Sequence, residues 1–81
     1  MRKARPRGQA AAIQRTLGQN VHALREGAGM SQEELAARSD VSRGYISRIE
    51  KGRVNVTLST LVRLARVLSV TAVDLLTIQS C

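Results

Sequence analysis

Aromatic side chains are almost missing: Tyr45 is the single one, with no Phe or Trp anywhere in the 81 residues. A core without large rings has to be filled by Leu, Val, Ile and Ala, the usual packing of a small helical bundle. Proline is equally scarce. Pro6 precedes every periodic stretch, so no proline interrupts a helix in the body of the chain. One cysteine, Cys81, stands at the end, which excludes an internal disulfide and fits a reducing cytoplasm. No apolar run approaches the ~18 residues that span a bilayer, and no signal-peptide pattern opens the sequence. His22 has no Cys, His or carboxylate at ligand spacing, and no nucleophile–base arrangement is present. These absences argue against a metal centre, a cofactor, an enzyme and a membrane protein. No sensor domain or small-molecule site is evident either.

What remains is short, basic and helical. The length allows one domain with a small core. The net charge of +7 is concentrated at one end: Arg2, Lys3, Arg5, Arg7 and Arg15 face no acid within residues 1–15, and the rest of the chain is nearly balanced. Residues 1–12 are therefore expected to form a flexible basic arm ahead of a domain at 13–79. Such an arm suits phosphate neutralisation, and a solvated tail without a specific role has the same composition. Helix becomes plausible from about Gln9, and Ile13, Leu17, Val21 and Leu24 repeat at helical spacing up to Gly27. Ser31 with Glu34 reads as a capping box that starts a second helix at Gln32. Asp40, tolerant of a left-handed backbone, supplies the bend after it. Ser42 caps a third helix that closes on Lys51-Gly52. Thr57 starts a fourth, with an apolar stripe of Leu58, Leu61, Val62, Leu64, Ala65 and Leu68. Thr71 with Asp74 starts a fifth, apolar through Leu75, Leu76 and Ile78. The expected fold is all-α, a compact bundle of five helices with a helix-turn-helix formed by the second and third.

The third helix carries the chemistry. Tyr45, Ile46 and Ile49 share one side, and Arg43, Gly44, Ser47 and Arg48 the other. A short helix presenting guanidiniums, a hydroxyl and a bare glycine suits a DNA groove, since Arg pairs bidentately with guanine edges and glycine permits close approach. A set of solvated surface arginines would look the same in sequence. Ser47 could equally bond its own backbone, and Gln32 could be simply a good helix former after its cap.

From Leu17 to Ile78 the text resembles the Cro/Xre-type helix-turn-helix repressors of phages and bacteria. The matching blocks are MSQEELA, YISRIEKGR and TLSTLVRLARVLSV followed by DLL. The RGYIS, IE, G and NVTL elements most resemble the short controller proteins of restriction–modification systems. The resemblance implies a lambda repressor-like fold and sequence-specific binding of double-stranded DNA by a homodimeric transcriptional regulator. It implies base contacts from Arg43, Gly44, Ser47 and Arg48, and backbone contacts from Gln32, Ser42, Tyr45, Lys51, Arg53 and Asn55. Arg25 and Glu50 match a structural ion pair. Asp40 stands where the family often has glycine, and Gly44 where relatives often carry a polar reader. The apolar end, Leu75, Leu76 and Ile78, is the expected dimer interface, which would place the operator as an inverted repeat; the same residues could instead complete the core of a single chain. The alternative is a protein-interaction module, antitoxin-like or bridging, that keeps the fold without specific DNA binding.

Overall fold

The computed structural model describes residues 8–78. The basic residues Arg2 to Arg7, the domain's expected last residue at 79 and the terminal cysteine at 81 lie outside the described residues. Helices run α1 Gln9–Gly27, α2 Gln32–Ser39, α3 Arg43–Glu50, α4 Leu58–Leu68 and α5 Ala72–Leu76. Helix α1 starts at Gln9, where the sequence already makes helix plausible, so residues 9–12 form its first turn and the expected arm is shorter than residues 1–12.

Side-chain caps set most of the boundaries. Ser31, Ser42, Thr57 and Thr71 each accept a hydrogen bond from the backbone N–H three residues on. Each satisfies one of the orphan donors of a first helical turn. The reciprocal half of the box is present at Thr71–Asp74. At Ser31 it is not: the Glu34 carboxylate goes to Arg38, 2.8 Å away on the next turn. Asp40 takes the left-handed conformation that ends α2, with φ 61°, and Ser69 does the same after α4.

The core is aliphatic, as the lack of rings requires. Leu17 and Val21 of α1, Leu35 and Ala36 of α2, Ile46 and Ile49 of α3, Leu61, Leu64, Ala65 and Leu68 of α4, and Leu75 of α5 pack as one cluster. Helix α1 runs against α3, α4 and α5, while α2 packs on α3 and α4. Two expectations change here. Leu58 and Val62 do not join the core; they are 77% and 45% exposed. The buried set of α4, Leu61, Leu64, Ala65 and Leu68, follows i, i+3, i+4, i+7. Leu58 precedes it at the first helical position, and Val62 sits on its outer edge. Leu75 is the second correction. It is completely buried within the chain and completes the core, so it is removed from the expected dimer interface; Leu76 and Ile78 remain exposed.

Two close contacts fix the orientation of α1. A Cβ on Gly18 would collide with the carbonyl oxygens of Ile49 and Glu50, so glycine lets α1 lie directly on the end of α3. Buried Asn20 donates to the carbonyls of Leu75 (2.8 Å) and Thr77 (2.9 Å) and so satisfies the end of α5.

Candidate nucleic-acid interface

Helices α2 and α3 pack against each other around the Asp40 bend, and α3 divides cleanly into two faces. Ile46 and Ile49 are sealed in the core, 0% and 1% exposed. Arg43, Gly44 and Arg48 are exposed on the opposite face, with Ser47 half-buried at its edge. Gly44 stands open: a Cβ there would come no nearer to anything than 3.9 Å, at Arg48 Nη1.

The carboxyl end of α3 is anchored by a polar cluster. Arg25, only 8% exposed, reaches from α1 to place Nε 2.7 Å from Glu50 Oε2 and Nη2 3.2 Å from Oε1. Its Nη1 donates to the Met30 carbonyl at 2.7 Å, tying in the turn before α2. Gln32 Nε2 donates to the same Glu50 Oε1 at 3.1 Å. The ring of His22 lies between Glu50 and Glu26, with Nδ1 3.0 Å from one and Nε2 3.3 Å from the other. Burial pushes the Glu50 carboxyl up, but hydrogen bonds from Arg25, His22 and Gln32 outweigh it and hold the group below the ordinary carboxylate range. The Glu50 hydrogen bond raises Arg25 above its ordinary value against the opposing effect of burial. Both groups are charged at neutral pH, and both are fully partnered. Among the described residues no group of three metal-ligating side chains gathers, and His22 serves this cluster.

A second set of contacts positions the loop after α3. The Arg48 guanidinium lies 5.6 Å from the Tyr45 ring centroid, in cation–π contact. The Tyr45 hydroxyl donates to the Asn55 carbonyl at 3.3 Å, and the Asn55 side chain accepts from Gln14 Nε2 at 2.6 Å. Gly52, with φ 70°, turns the chain so that Arg53 N–H reaches back to the Arg48 carbonyl. Lys51, Arg53 and Asn55 are thereby exposed beside α3, on the path that leads away from Arg48.

Comparison with known proteins decides the family. The helix-turn-helix family model matches residues 21–75. The chain belongs to the Cro/C1-type helix-turn-helix family. It is 43% identical over 67 residues to the control protein C.SmaI of Serratia marcescens, covering 83% of this chain and 80% of that protein. It is 41% identical over 73 residues to the control protein C.BamHI of Bacillus amyloliquefaciens, covering 85% and 90%. The crystal structure of the restriction–modification controller protein C.AhdI from Aeromonas hydrophila superposes with a TM-score of 0.75 at 36% identity. That match covers 79% of this chain and 97% of the other. Helix-turn-helix regulators of this family bind double-stranded DNA and are not enzymes. The resemblance read from the SQEELA and YISRIEKG blocks thus leads to the same family. Among the described residues no helix is long and apolar enough to cross a membrane.

The site residues named from sequence are exposed or half-buried on α2, α3 and the loop that follows, with one division. Arg43, Gly44, Ser47 and Arg48 line the outer face of α3, and Ser42, Gln32, Lys51, Arg53 and Asn55 surround it. Arg25 and Glu50 lie behind, as structure rather than surface. The sequence reading missed Glu33, whose Oε2 lies 3.2 Å from Arg43 Nε. It also missed Gln14, which is 41 residues from its partner Asn55, and Gly18. None of the three carries a local signal: each acts through a partner far away in the chain or through backbone proximity.

Proposed function

We propose that this regulator binds double-stranded DNA sequence-specifically as a homodimer, with α3 lying in the major groove. The observation that carries the reading is the division of α3: its apolar face and carboxyl end are locked, while Arg43, Gly44 and Arg48 stand open with Ser47 half-buried at their edge. Arg43 sits at the amino end of the helix, where side chains reach deepest into the groove, and offers a guanine its parallel donors. Arg48 reads one turn further on, and Ser47 adds a hydroxyl between them. Gly44 brings the backbone close and leaves part of the discrimination to DNA shape.

Phosphate contacts set the register. Gln32 spends one amide hydrogen on Glu50 and keeps the other for an acceptor, at a helix amino terminus that itself favours anions. The Ser42 hydroxyl oxygen is used by the Tyr45 N–H, which leaves its proton to donate to a phosphate. Tyr45, Lys51, Arg53 and Asn55 extend the row along the backbone. One such helix offers few base contacts, and a two-fold dimer on half-sites about one DNA turn apart doubles them. Leu76 borders an apolar groove with Ile13 and Leu58, and Ile78 lies exposed against Thr16, Gln19 and Ala23 of α1; these side chains supply the dimer surface. A cytoplasmic, nucleoid-associated location accords with this reading.

Selection from a random double-stranded library at roughly physiological salt tests it. The expected result is an enriched inverted repeat, with Arg43→Ala relaxing one position per half-site. Salt-sensitive retention without any motif would overturn the specificity. No retention would make the fold a scaffold for a protein partner, and sedimentation as a monomer on DNA would remove the dimer.

A further inference from the structure

The DNA-facing surface carries an acidic side chain that this function does not obviously want. Glu33, in the first turn of α2, is well exposed, and its carboxylate would lie near phosphates if α3 entered the groove. Its partner is Arg43, and the contact is made to Nε, at 3.2 Å, not to the tip of the guanidinium. Both side chains are more than half exposed, so the pair contributes little to folding stability. Its value has to be sought elsewhere.

We propose that Glu33 is a positioning residue for base readout: its carboxylate, ion-paired on the Nε side of Arg43, draws the guanidinium toward α2 and so presents the Nη1–Nη2 edge to a guanine. The inference rests on the assignment of Arg43 as a base contact. A guanidinium has five N–H donors in a rigid fork. A carboxylate paired on the Nε side leaves free the two parallel donors that match guanine O6 and N7. A free arginine loses rotamer freedom when it docks on a base, whereas one already held by a carboxylate has lost part of it beforehand. The charge of Glu33 acts in the opposite direction on affinity as a whole, because it repels the phosphate backbone of every sequence alike. The residue therefore weakens binding in general while sharpening it at one base pair. Among the described residues Arg43 is the reading-face arginine with such a carboxylate; Arg48 rests on the Tyr45 ring instead.

The test measures binding by fluorescence anisotropy, at one salt concentration, to the selected site, to single-base-pair variants of it and to unrelated DNA. For Glu33→Ala, the preference for guanine at the Arg43 position falls about fivefold, while affinity for unrelated DNA rises. Glu33→Gln removes the charge that draws Arg43, so it loses guanine preference nearly as Glu33→Ala does and shares the rise on unrelated DNA. In the Arg43→Ala background, Glu33→Ala leaves discrimination unchanged. Thermal unfolding midpoints stay together across the series. Equal gains of Glu33→Ala on every sequence, with guanine preference intact, would reduce Glu33 to simple repulsion and overturn the proposal. If Arg43→Ala itself relaxes no position, the assignment of Arg43 fails first, and the role of Glu33 falls with it.

Discussion

At its carboxyl end α3 meets α1 backbone to backbone at Gly18, and its last side chain, Glu50, receives hydrogen bonds from α1 and α2. At its amino end, two turns earlier, Arg43 and Gly44 touch almost nothing but an exposed carboxylate and solvent. One helix of eight residues thus joins an immobilised end to an open one. The difference teaches how so small a protein can hold the proposed reading surface rigid without spending on it the side chains proposed to read. Orientation comes from groups that never leave the interior, and recognition is left to groups with few internal obligations.

Breaking the anchored end gives the largest effect. Arg25→Ala removes the charged partner of the buried Glu50 side chain and leaves it only His22 and Gln32, so it should cost about 3 kcal/mol of stability, read from chemical unfolding. An unchanged unfolding midpoint would show that the pair is dispensable. Gly18→Ala attacks the same end without altering charge. Its methyl must push α1 from the Ile49 carbonyl, with an expected loss of about 2 kcal/mol. At the open end, Arg43→Ala should leave stability within about 0.5 kcal/mol and instead cost about 1–3 kcal/mol of discrimination at one base pair. Equal stability losses at both ends of α3 would erase the contrast.

The finest probe is pH. Glu50 titrates below its unfolded value, so the unfolded chain binds its proton first and stability falls as the solution is acidified through the folded-state value. The contribution is complete above the ordinary carboxylate range and is lost beneath it. Glu50→Gln should flatten that part of the acid limb, as followed by denaturant unfolding between neutral and acid pH; an unaltered limb would assign the acid sensitivity to other carboxylates.

Much of this architecture could be read directly from the residues. Ser31, Ser42, Thr57 and Thr71 marked helix starts because a hydroxyl three residues before a backbone N–H is a local device. Asp40 marked a bend for an equally local reason. The two faces of α3 followed from angular spacing. Contacts that depend on tertiary distance were not legible from the residues. Gly18 reads in sequence only as a weak helix former, and its purpose lies in the backbone of another helix. Leu75 and Leu76 are neighbours of the same type in a helix of five residues, too short for periodicity to say which one points inward. Leu58 belongs to the apolar stripe of α4 by its spacing, but the helix begins before the core does and leaves it exposed. The pairing of Arg25 with Glu50 was expected only because the surrounding text resembled a known family.

Gly44 adds a consequence for the diversification of such proteins. The backbone there is that of an ordinary helix, no neighbour crowds the position, and nothing in the fold requires that it stay bare. It is a blank key on an otherwise cut lock-and-key surface. With α3 in the proposed groove-bound orientation, a side chain introduced there would meet the DNA without disturbing the anchorage. A new operator preference could therefore arise at this position by one substitution, and the scaffold behind it would not have to change.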